Sequence, residues 1–66
     1  MSVARTTEIT ATSTKSFNDA LNSGVKRSVK TLDNVTGAWI KDQEVEIKNG
    51  KITSYRVRMM VTFILK

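Results

Sequence analysis

Asp42, Glu44 and Glu46 occupy alternate positions of one extended stretch, so their carboxylates project to the same side of a strand. Oxygen ligands in that arrangement could hold a hard cation such as a divalent metal ion, or could balance nearby Lys and Arg. Trp39, the only Trp in the chain, is flanked by Ala38 and Ile40. Placed beside Arg56 and Arg58, its indole could stack on a planar ligand while the guanidiniums meet negative charge. Interface packing is the competing use of a lone Trp in a strand. Catalysis finds little to work with. There is no His and no Cys, no Ser sits in a nucleophile motif, and no Gly-rich phosphate loop is present. The chain reads as a binding protein, not an enzyme.

Composition narrows the field further. With 66 residues, residues 1–66 make a single domain. A domain so short buries only about 60% of its unfolded surface. Neither a disulfide nor a Cys/His zinc site can reinforce it, which leaves oligomerisation. No apolar run reaches the roughly 20 residues of a membrane span, and Met1–Thr7 is polar. The expectation is a cytoplasmic protein without a membrane partner. Eleven Lys and Arg against six Asp and Glu give a net charge of +5. That balance could serve a nucleic acid, whose binding would weaken steeply with salt. Apart from Lys26-Arg27-Lys30 and Arg56/Arg58 the charges are scattered, which favours a solubilising surface.

The elements follow from periodicity. Arg5–Thr12 is rich in Thr and Ile and suits a strand. Ser16, with Asp19 three residues on, marks a helix N-terminus. Phe17, Leu21, Val25, Val29 and Leu32 then recur at three- and four-residue steps, forming one apolar stripe. Gly24 weakens this helix by about 1 kcal/mol relative to Ala, which close packing would explain. Asp33-Asn34 ends it. A second strand is expected from about Ala38 to Lys48, and Asn49-Gly50 is a strong hairpin signal. In the third strand, Lys51–Leu65, the odd positions from Tyr55 to Leu65 are all apolar. Phe17, Leu21, Val25 and Val29 against Tyr55, Val57, Met59 and Val61 make the expected core.

One helix can cover only one face of the resulting βαββ sheet. A two-residue loop at Asn49-Gly50 sets Lys48 opposite Lys51, Ile47 opposite Ile52, Gln43 opposite Arg56 and Trp39 opposite Met60. The uncovered face would then carry Trp39, Gln43, Val45, Ile47, Ile52, Arg56, Arg58, Met60 and Ile64. Such a mixture calls for a partner subunit or a ligand. A bulge in the second strand would change this register.

The whole pattern resembles the dodecin family. Thr12-Ser13 with Ser16-Phe17 opens the helix, Lys30-Thr31-Leu32-Asp33-Asn34-Val35 closes it, and Asn49-Gly50-Lys51-Ile52 forms the hairpin. Tyr55-Arg56-Val57 and Val61-Thr62-Phe63 match the last strand, and the likeness runs from about Arg5 to Leu65. It implies an α+β subunit, a three-stranded antiparallel sheet on one helix, assembled as a hollow homododecamer with the sheet inward. It also implies a small-molecule ligand: riboflavin, FMN or lumichrome, stacked between symmetry-related Trp side chains and held at the ring edge by a Gln.

At those two positions this sequence departs from the pattern. Aligned on Asp33-Asn34-Val35, the stacking Trp falls on Gly37 and the ring-binding Gln on Arg56. Losing one stacking partner is worth about 1–3 kcal/mol, and Arg offers donors but no acceptor. Trp39 shares strand parity with Gly37 and could supply a displaced platform. Some dodecin-like proteins without the Trp carry Arg after Tyr, calcium-binding dodecins among them, and Tyr55-Arg56 resembles that branch. The expected ligand site is Gly37, Trp39, Gln43, Arg56 and Arg58. The expected function is a shell that binds or stores a flavin or related planar ligand. A flavin-free assembly with an ion-binding or structural role is the alternative.

Overall fold

The structure is a computed structural model, and it describes residues 2–65. The chain order is β1 (Val3–Ser13), α1 (Phe17–Thr31), β2 (Val35–Lys48) and β3 (Lys51–Leu65). The three strands form one antiparallel sheet in the order β1-β3-β2. The apolar alternation that marked β3 in the sequence therefore belongs to the central strand. It is the strand buried from both edges and so the one under the strictest demand for a clean pattern.

The helix begins where its chemistry says it should. Ser16 is the N-cap, its hydroxyl accepting a hydrogen bond from the Asp19 backbone N–H at 2.9 Å. Ser13 Oγ donates to Asp19 Oδ2 at 2.6 Å and accepts from Lys15 N at 2.9 Å, tying the end of β1 to the first helical turn. At the far end Leu32 N donates to Ser28 O at 2.8 Å, and Asn34 takes a left-handed φ of 61° to turn the chain into β2. Both β1 and β2 begin earlier than the expected Arg5 and Ala38, since β-branched Val3 already pairs with Leu65 and Val35 with Phe63.

The core is Ala20 against Val57, Met59 and Val61, with Ile9, Ala11, Phe17, Leu21, Val25, Leu32 and Val35 packed around it. Phe17 meets Tyr55 edge to face, with centroids 5.1 Å apart. Gly24 is where helix and sheet come closest. A Cβ there would lie 2.6 Å from Met59 Cε and 3.2 Å from Ala11 Cβ, which accounts for Gly in mid-helix. Val29 departs from expectation, for it is 58% exposed. The helix lies over β1 and β3 and only grazes β2, so Val29, on its β2 side, is left uncovered while Ser28 and Leu32 stay packed.

Candidate functional site

The sheet face away from the helix is best followed across the strands. Val57, Met59 and Val61 are buried under the helix, so the even residues of β3, Arg56, Arg58, Met60 and Thr62, point to the other side. Opposite them on β1 stand Thr12, Thr10, Glu8 and Thr6. On β2 the partners are Glu44 to Arg56, Asp42 to Arg58, Trp39 to Met60 and Gly37 to Thr62.

That register corrects the expected one in its middle stretch. Lys48–Lys51, Ile47–Ile52 and Trp39–Met60 pair as the hairpin count required, but Gln43 lies opposite Val57, not Arg56. The pairing slips between Glu46 and Ile47, where Thr53 is the extra residue, and slips back between Ile40 and Asp42, where Lys41 is extra. The Thr53 hydroxyl donates to Glu46 O at 3.2 Å and helps to hold the first bulge. Since directly opposed residues share a face, Gln43 and Val45 stand on the helix-facing side. Ile47 and Ile52 join them there, past the end of the helix, 62% and 53% exposed. The structure thus brings Gly37, Trp39, Arg56 and Arg58 to one face and leaves Gln43 on the other.

The slip makes an ion-pair ladder. Arg58 Nη1 donates to Asp42 Oδ1 at 2.8 Å and its Nη2 to Glu44 Oε1 at 2.6 Å. Arg56 Nη1 reaches the same Glu44 oxygen at 3.2 Å, and its Nη2 lies 3.7 Å from Glu46 Oε2. The two guanidiniums hold the Glu44 carboxyl below its ordinary range through hydrogen bonds from Arg58 and then Arg56. Asp42 and Glu44 in turn raise Arg58. Beside the ladder Lys41 Nζ bonds Glu8 Oε1 at 2.9 Å, a link from β2 to β1 over the central strand at Met60. That bond raises Lys41.

Next to this network Trp39 is 52% exposed. Around Gly37 the space is open, and a Cβ added there would meet nothing within 4 Å. Sequence reasoning did not find a second concavity, on the helix side. It is a groove of about 390 Å³ between α1 and the start of β2, where Leu21, Val25, Val29, Val35 and Ala38 supply apolar walls. Its signal in the sequence was Val29, an apolar residue of the helix stripe that the sheet does not cover. Among the described residues, no helix is long and apolar enough to cross a membrane, and no cluster of three or more metal-ligating side chains converges on a common point.

A βαββ unit with one helix-covered face and one charged, aromatic face open defines a subunit class built to associate. The dodecin family's sequence profile matches residues 3–66. The chain belongs to the dodecin family, whose members are known for binding flavins and for assembling as homododecamers. No curated protein matches the chain in sequence. Among solved structures it is similar to the dodecin of Streptomyces davaonensis, at 28% identity and a TM-score of 0.91, covering 98% of this chain and 96% of that one. It is also similar to a calcium-chelating antigen, the calcium dodecin of Mycobacterium tuberculosis, at 28% identity and a TM-score of 0.83, covering 97% and 91%. A variant of the Thermus thermophilus dodecin shares the fold at 24% identity and a TM-score of 0.92, covering 100% and 98%.

The residues present fit poorly the flavin pose that the resemblance implies: under it Gly37 would give the ring no platform, and the Arg56 guanidinium is engaged by Glu44 and Glu46. Trp39 is the one aromatic surface on this face.

Proposed function

We propose that this protein is a non-catalytic dodecin-like shell, a homododecamer that binds or stores a small planar ligand against Trp39. The half-exposed indole on the face opposite the helix carries this reading. A large aromatic ring beside open space at Gly37 offers a stacking surface worth about 1–3 kcal/mol per ligand ring. Riboflavin, lumichrome and FMN are the first ligands to test, in a pose displaced by one pleat from the family's. Because Trp39 is the only Trp, its fluorescence reports on this site alone. Titration with riboflavin should quench the emission, and Trp39→Ala should abolish binding measured by flavin fluorescence. An unquenched wild type, with binding gained only by Gly37→Trp combined with Arg56→Gln, would show a dodecin scaffold that no longer takes flavin.

A second reading, a flavin-free assembly with an ion-binding or structural role, has its own support. The Arg56 and Arg58 guanidiniums are already matched by carboxylates, and the chain resembles a dodecin that chelates calcium. Denaturing the purified oligomer and identifying what it releases, with calcium measured alongside, separates the two.

A further inference from the structure

The fold separates the two basic clusters of the chain. Arg56 and Arg58 lie on the sheet face away from the helix, and each meets two carboxylates. Lys41 meets Glu8. These contacts occupy Glu8, Asp42, Glu44 and Glu46, four of the six acidic residues in the chain. Of the other two, Asp19 takes a hydrogen bond from Ser13 at the first turn of α1, and Asp33 follows the helix. Lys26, Arg27 and Lys30 are left without a partner acid. Among the described residues none of the three makes an ion pair.

Positions 23, 26, 27 and 30 recur at three- and four-residue steps, so they share one side of α1, and all four are exposed. Ser23, Lys26, Arg27 and Lys30 line a shallow hollow of about 280 Å³. Ser23 and Arg27 also line a groove of about 460 Å³ between the helix and β1, where Thr7, Thr10 and Thr12 add their hydroxyls. Through those two shared residues the concavities run together along the β1 side of the helix. β1 is an edge strand, so alternate backbone N–H groups point outward beside the same groove. The apolar groove lies on the other side, toward β2. Compensation of the helix dipole accounts for a cation in the last turn, where Lys30 stands. It does not account for Lys26 and Arg27, which precede that turn.

We propose that the β1 flank of α1 is a nucleic-acid binding surface, on which Lys26, Arg27 and Lys30 hold the phosphate backbone. The cations supply charge and donors, and the hydroxyls and edge N–H groups supply further donors to phosphate oxygens. No aromatic ring lines either concavity, so bases find nothing to stack on and binding is independent of sequence. An anionic membrane, the competing partner, calls for large apolar side chains beside the cations. None of the exposed large apolar residues lines these concavities. From Ser23 to Thr31 the helix rises about 12 Å, the length of about three phosphates of one strand. Three cations match that number. An assembly that closes over the opposite sheet face leaves α1 outward.

Fluorescence anisotropy of a short fluorescein-labelled single strand, titrated with the wild-type protein at several salt concentrations, tests this surface. Three phosphate contacts on a single strand give a slope of log K against log salt of about −2, and the observed slope should be that or steeper. An oligothymidine and a mixed sequence should bind alike. Lys26→Gln, Arg27→Gln and Lys30→Gln together should weaken binding about 100-fold at about 0.1 M salt, the effect of three counterions no longer released. Lys15→Gln, Lys48→Gln and Lys51→Gln together remove the same charge away from the flank and should leave the affinity near that of the wild type. If the first triple variant does not fold, Lys26→Gln with Lys30→Gln should weaken binding about 25-fold. No binding by the wild type at about 50 mM salt, or an equal loss in both triple variants, overturns the proposal. So does a wild type that sediments with phosphatidylcholine–phosphatidylserine vesicles while the strand stays free, which would assign the flank to a membrane.

Discussion

Glu44 is a residue whose importance comes entirely from its position in a register. As an exposed carboxylate in a salt bridge it would ordinarily add little to stability. Here it bridges two arginines on the neighbouring strand, and its carboxyl is held below the ordinary value of 4.5. A lowered folded-state value means that the unfolded chain takes up a proton first as the solution is acidified. The contribution of Glu44 is therefore fully present above about pH 4.5 and is lost as pH falls through the lowered folded value. Thermal melts of wild type and Glu44→Gln should accordingly differ near neutrality and converge in acid. A gap that stays constant, or widens, below pH 4 would show that Glu44 stabilises through packing and not through charge.

The hairpin shows what an element can encode and what it hides. Asn49 and Gly50 both take positive φ, 53° and 75°, as a two-residue type I′ turn requires. Gly50→Ala puts a Cβ on a backbone that costs about 1–2 kcal/mol for an L-residue, and urea unfolding should register a loss of that size. Replacement of Asn49-Gly50 by Gly-Gly should be tolerated far better. If Gly50→Ala unfolds at the wild-type midpoint, the turn is not the one described. The turn type was legible because its dipeptide is nearly specific to it, and so were the helix cap at Ser16 and the alternation of β3. The bulges at Thr53 and Lys41 were not, since neither residue is the Gly or Pro that usually marks a break in a strand. Their consequence was local. Two opposite slips cancel, so Trp39 still meets Met60, while Gln43 between them is displaced onto the helix side. A signal for the slip did exist. Counted from an unbroken hairpin, Asp42 would face Val57 and Glu44 would face Tyr55. Moving the register by one residue pairs Asp42 with Arg58 and Glu44 with Arg56, the arrangement that opposite charges prefer across strands.

Taken as a whole, the subunit leaves too much apolar surface in water to be a finished object. Its fully buried hydrophobic core is Ala20, Val57, Met59 and Val61. Outside it Val29, Trp39, Ile40, Ile47 and Ile52 are each more than 40% exposed. They fall on both sides of the sheet. Trp39 faces away from the helix, while Val29 rims the groove beside α1, and Ile47 and Ile52 ride the hairpin beyond the helix. The chain spans 51 Å in its longest dimension but only 13 Å in its shortest, so the hairpin arm has no second layer of its own. A unit of this size with so small a core is marginal in isolation, because burial must outweigh a backbone ordering cost of about 1–2 kcal/mol per residue. Contacts between subunits are the available remedy, and a closed symmetric assembly satisfies both faces where an open one would leave surplus edges. Light scattering coupled to size exclusion should therefore give a mass near twelve subunits at micromolar concentration, the number expected from the family. Ile47→Asp combined with Ile52→Asp changes residues that touch no part of the subunit core, so a fall in mass for this variant would assign the hairpin arm to the assembly contacts. Dilution of that variant should also lower its melting temperature, since a subunit stabilised by its neighbours loses stability as they dissociate. A wild type that ran as a single folded subunit would remove the oligomer, and with it the enclosed face on which the planar-ligand reading depends.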